Sequence, residues 1–141
     1  MAEWKGDNFG GVDGGNIPER HLIKSGAHKD FSYKNLLAGC SALGMDCSAF
    51  VFAHLELGPA NLIVEKKARL GTIGVIDFEV AGYVPREWIR TKFRISSVLN
   101  LSSSSTTDPY LWRKQVQECL GKVGFPDVTI SWCSWWEYVS P

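Results

Sequence analysis

Two short apolar runs, NLIV at 61–64 and TIGVI at 72–76, flank the charged segment EKKARLG, and this pairing constrains the fold more than any other feature of the chain. Runs this brief, rich in Ile, Leu and Val and bounded by a polar, Gly-bearing turn, read as two short buried strands of one hairpin. A third run, AFVFA at 49–53, precedes them and reads the same way. The segment HLELGPAN therefore opens in a loop between strands. Asn61 and Asp77 stand at the two ends of the hairpin.

Helical spacing surrounds these strands. Leu36, Cys40 and Leu43 recur at helical intervals, with Asp30 or Ser32 as a cap and Gly44 as a stop. Beyond Pro85, a residue suited to a first helical turn, Trp88, Ile89 and Phe93 form one stripe. Arg86, Arg90, Lys92 and Arg94 read as the solvated face of that helix. Asp108 and Pro109 signal a third helix carrying Trp112, Val116, Cys119, Leu120 and Val123. The tract SSSSTT at 102–107 reads as a surface loop, and VTISWCSWWEYVS at 128–140 as a strand or a loosely packed end. Residues 1–29 are rich in Gly, Asp, Asn and Pro without periodicity, so they read as a loop-dominated lead-in to a folded unit over 30–141. The expected class is α+β.

Composition narrows the functional classes. A chain of 141 residues suits a single domain with a real core. Fifteen Lys and Arg balance fifteen Asp and Glu, which leaves no summed positive field for nucleic acid or anionic lipid. A small molecule or a protein partner is expected instead. No apolar run approaches the roughly 18 residues of a membrane span, and the N-terminus lacks a signal-peptide layout, so the chain reads as soluble and cytoplasmic. Four cysteines without a C-x-x-C pair and only three histidines read as reduced thiols rather than a zinc site.

Phosphoryl transfer asks a protein mainly to position reactants and hold metal ions, so its sites combine a carboxylate beside the acceptor hydroxyl with an amide oxygen and a second carboxylate on magnesium. In kinases the first two share a loop, H-x-D-x-x-x-x-N, and the third follows a nearby strand. Here His54-Leu55-Glu56 is followed by Asn61 at that interval, then by two candidate strands and Asp77 in VIDFE. With HLELGPANLIV and VIDFEVAGYVPREW, residues 50–94 resemble the C-terminal lobe of the aminoglycoside phosphotransferase and choline kinase-like family, especially its fungal members. That family's loop reads roughly H-G-D-L-x-P-x-N-I-L-V and its metal strand I-I-D-W-E-x-A-G.

The resemblance implies a protein kinase-like C-terminal lobe, mainly helical with a small β-hairpin. It implies that Asn61 and Asp77 bind Mg2+ and ATP, that Glu56 occupies the catalytic-base position, and that His54 braces the loop. Glu56 departs from the family's aspartate, and its extra methylene moves the carboxylate by ~1 Å, a displacement that can cost about 100-fold in rate. The family's N-terminal lobe needs roughly another hundred residues, so it is expected to be absent. FGGVDGGN at 9–16 lacks the spacing of a phosphate loop, has no expected strand before it, and reads as a flexible turn with Asp13 as a weak substrate contact. Three functions follow: a truncated or degenerate small-molecule phosphotransferase, a pseudokinase lobe acting as a binding module, or a small acid-base enzyme using Glu56 and Asp77.

Overall fold

The structure, a computed structural model, describes residues 1–137. Its centre is an antiparallel pair, β3 (Phe50–His54) against β6 (Ala81–Val84), with Val51 opposite Val84 and His54 opposite Ala81. Two strands of only two residues each flank this pair: β1 (Lys5–Gly6) beside β3 and β2 (Gly10–Gly11) beside β6. A separate hairpin, β4 (Leu62–Val64) with β5 (Ile73–Val75), sits in the chain between the two central strands. Four α-helices complete the described residues: α1 (Tyr33–Ala42), α2 (Arg86–Ile95), α3 (Leu111–Lys122) and α4 (Thr129–Trp136). The chain is thus a small α+β domain with two small antiparallel sheets.

Local signals account for much of this. Ser32 caps α1, its hydroxyl accepting from the Asn35 amide, and Gly44 follows the helix at φ +79°, a left-handed conformation that costs glycine little. Leu36 and Cys40 are fully buried on the inner face of α1 and belong to one core cluster with Phe50, Val84 and Trp88. α2 begins after Pro85 and buries Trp88 and Phe93 as its periodicity requires. Asp108 accepts from the Tyr110 amide at 2.9 Å, so the expected cap closes a turn and α3 starts at Leu111. The α3 stripe is only half covered, with Val123 66% exposed.

Several expectations are corrected. β4 and β5 form a hairpin, but not a buried one: Ile63, Val64 and Ile73 are 57–67% exposed, because no second layer covers them. A strand, β1, does precede the glycine-rich loop, and the lead-in, loop-dominated as expected, shares its core with residues 30–141 through Phe9, Ile17 and Leu22. The basic face of α2 is not simply solvated: Lys92 is buried against Glu19, Arg94 pairs with Asp127 at 3.2 Å, and Arg90 donates to the Phe125 carbonyl at 3.1 Å. Residues 128–136 are not a strand. They lead into α4, where Trp132 stacks on Trp136 and donates from Nε1 to the His21 carbonyl at 2.7 Å. Residues 138–140 of that tail lie outside the described residues.

One close approach fixes the central sheet. A Cβ on Gly82 would run into the Gly10 carbonyl oxygen and Ile17 Cδ1, so only glycine lets β2 lie against β6. Gly82→Ala is expected to cost about 1–3 kcal/mol through overpacking, read as a lower urea midpoint at unchanged slope.

Candidate functional site

The hairpin leaves and re-enters the central sheet at one end of the β3–β6 pair, and four hydrogen bonds tie its base. The Leu55 amide donates to the Val80 carbonyl at 2.8 Å, prolonging the ladder past His54. The Glu56 amide donates to His54 Nδ1 at 3.2 Å, and His54 Nε2 donates to the Ile76 carbonyl at 2.9 Å. A neutral ring with its proton on Nε2 satisfies both partners at once. The Ile76 amide in turn donates to the Asn61 carbonyl at 3.1 Å. His54 is buried, with its ring edge-on to Phe78 at 4.9 Å between centroids.

Within this frame Asn61 closes the loop on Glu56. A 3-10 turn over Pro59–Asn61 starts with proline, which fixes the first backbone angle, and the Asn61 side chain donates from Nδ2 to the Glu56 carbonyl at 2.9 Å. That bond commits the amide nitrogen and leaves Oδ1 as an acceptor without a hydrogen-bond partner among the described residues. Asp77 follows β5 in a left-handed conformation, φ 62° and ψ 65°, the one such non-glycine among the described residues. Aspartate tolerates this region better than most side chains, and held there it marks a position dictated by its surroundings. Its exposed carboxylate has no hydrogen-bond or ion-pair partner among the described residues.

Glu56 is half-buried and lines a cavity of 410 Å³ shared with Glu79, His21, Lys92 and Ser96. Behind that cavity lies a network the sequence did not disclose. Glu19 is 1% exposed; its Oε2 accepts from Lys92 Nζ and from Trp88 Nε1 at 3.2 Å, and its Oε1 from the His21 amide at 3.1 Å. Burial opposes ionisation of Glu19, but the Lys92 ammonium and the hydrogen bonds from His21 and Lys92 together outweigh it and hold the pKa down at about 2. The carboxylate is therefore ionised and paired.

The structure brings Glu56, Asn61 and Asp77 to one end of the sheet through the His54 bridge. Asp13 is elsewhere engaged: its Oδ1 accepts from the Gly15 amide at 2.9 Å, so FGGVDGGN is a turn closed on itself. No group of three or more His, Cys, Asp or Glu is gathered for a metal among the described residues. All four cysteines are free thiols, and no described helix is long and apolar enough to cross a membrane. Sequence reasoning missed Glu19, His21 and Ser96 as neighbours of the site; the run PERH in a glycine-rich lead-in was the available sign, since an acidic residue beside two basic ones there has no helix to solvate. No protein-family model matches the sequence, and no curated protein or solved structure is significantly similar to it.

Proposed function

We propose that the chain is a kinase-like C-terminal lobe of the aminoglycoside phosphotransferase and choline kinase-like type, whose site serves ATP- and magnesium-dependent phosphoryl transfer to a small-molecule hydroxyl. The observation that carries this reading is the His54 bridge. One imidazole holds the Glu56 amide and the Ile76 carbonyl, and so keeps the loop bearing Glu56 and Asn61 beside the strand end bearing Asp77.

The donor set suits magnesium. Mg2+ is a hard cation usually held by one or two protein carboxylates together with water and substrate phosphates. Asn61 Oδ1 and the unpaired Asp77 carboxylate are hard oxygens of this kind, and these two residues would hold the ion. It would neutralise charge on the phosphate oxygens. Glu56 would accept the proton of the acceptor hydroxyl as that oxygen bonds to the γ-phosphorus; the bond from phosphorus to the β-phosphate oxygen breaks and ADP leaves.

A second reading, the binding module, has its own support. Ile63, Val64, Leu70, Ile73 and Phe78 leave the hairpin with an apolar surface 48–80% exposed per residue, beside the site. Such a patch marks a surface that another body covers. Calorimetric titration with ATP, with and without magnesium, tests the first reading. Magnesium-dependent binding is expected, and it should vanish in both Asn61→Ala and Asp77→Ala; a folded chain that ignores millimolar ATP would leave the binding module in front.

A further inference from the structure

The hairpin has one open edge. Among the described residues, β5 has β4 on one side and no strand on the other. The Ile76 amide donates to the Asn61 carbonyl, which makes these two residues a hydrogen-bonded pair. Such pairs alternate with non-hydrogen-bonded ones along an antiparallel ladder, so Leu62 with Val75 and Val64 with Ile73 are of the second kind. Ile73 and Val75 therefore turn their backbone N–H and C=O groups away from β4. Proteins commonly guard such an edge with a charge, a proline or a bulge. Residues 72–76, TIGVI, carry neither charge nor proline, and Ile73 is 62% exposed. The edge of β4 differs, because its Leu62 amide is already taken by the Pro59 carbonyl.

Charge says what fits this edge. The hairpin tip carries Lys66, Lys67 and Arg69, all exposed, while the acid beside them, Glu65, is occupied by the Arg69 and Leu70 amides. The hairpin base carries Asp77 and Glu79, both exposed and without a side-chain partner among the described residues. A strand joining β5 must bring acid to the tip and base to the foot. β5 of a second copy does so when it runs antiparallel about a two-fold axis at Gly74. Ile73 of each copy then stands opposite Val75 of the other, their outward N–H and C=O groups pair, and each basic tip lies beside the other copy's acidic base. We infer that two copies of this chain pair in this way through β5, in one continuous sheet ordered β4-β5-β5-β4. The same operation on β4 about Ile63 would set the basic tip beside the uncharged residues 59–61. The inference rests on the binding-module reading, whose uncovered surface it assigns.

Sedimentation equilibrium of the full chain over a concentration series tests it. A monomer–dimer equilibrium is expected, with no larger species because a two-fold contact uses each β5 edge once. It should be weak, since pairing along three-residue strands buries little area, and weaker as salt rises. Val75→Pro removes an outward N–H and leaves the bonds between β4 and β5 in place. It should raise the dissociation constant about 10-fold or more, because each copy loses one intermolecular bond. Arg69→Glu and Glu79→Lys, which touch no backbone bond, should each weaken the dimer and together restore it. Open-ended oligomers, or a dimer whose affinity ignores Val75→Pro or the charge reversals, would overturn the inference. A chain that stays monomeric at every concentration would also overturn it and leave the edge to a strand of another protein. That result would not decide the binding-module reading, which stands or falls on the magnesium-ATP titration.

Discussion

Lys92→Met is expected to cost about 3–5 kcal/mol of folding stability, the penalty for leaving one member of a buried ion pair without its partner. Glu19 is 1% exposed, so its charge finds no water when the ammonium is gone. The double variant Glu19→Gln with Lys92→Met should recover most of the loss, since the glutamine oxygen still accepts from Trp88 Nε1 and no charge remains buried. Urea midpoints of the native chain, the two single variants and the double variant measure the coupling directly. The pair also sets an acid limb. Because the folded pKa of Glu19 lies below its ordinary value of 4.5, at about 2, its contribution is fully present above pH 4.5 and is lost as pH falls toward 2. Native chain should therefore lose stability over that window, and the double variant should lose less. A Lys92→Met chain as stable as the native one would show that Glu19 is neutral or solvated.

The second large effect concerns Glu56. On the proposed reading Glu56→Asp is expected to raise phosphoryl transfer about 100-fold, by drawing the carboxylate back the ~1 Å that its extra methylene displaces it. On the same reading Glu56→Gln should abolish transfer while leaving magnesium-ATP binding intact, because the metal is proposed to rest on Asn61 and Asp77. Single-turnover transfer from radiolabelled ATP separates the two steps. Equal rates in the native chain and in both variants would remove this residue from the chemistry.

The elements legible in the sequence are those whose signals are local. α1 announced itself through Ser32, the spacing of Leu36 and Cys40, and Gly44. The hairpin and the loop between His54 and Asn61 followed from short apolar runs at fixed intervals. Its exposure was not legible, because a run of Ile and Val reads alike whether or not another layer covers it. β1 and β2 have two residues each, too few for any periodicity to show. Glu19 and Lys92 meet across a separation of 73 residues, so Lys92 read as part of a solvated basic face until the lead-in was seen folded over it. α4 carries Thr, Ile and Trp, which favour strands; tertiary contacts of Trp132 and Trp135 with the lead-in and α1 overrode that preference.

Of the candidate site, Glu56, Asn61 and Asp77 were singled out by spacing, strand context and the family resemblance, and their roles are proposals. The left-handed backbone at Asp77 and the double role of His54 needed coordinates. The cavity behind Glu56 was invisible for the same reason as the ion pair: its walls come from the lead-in and from the end of α2.

The central claim is that Asn61 and Asp77 together hold a divalent cation, and substoichiometric Mn2+ added to the isotope-labelled chain tests it most directly by paramagnetic broadening in nuclear magnetic resonance. The expected result is early loss of the Asn61 side-chain amide signals and of the backbone amides around Asp77, reversed by excess Mg2+ and absent in Asp77→Asn. Signals of Asn61 and Asp77 that keep their widths while other carboxylates on the surface broaden would contradict it.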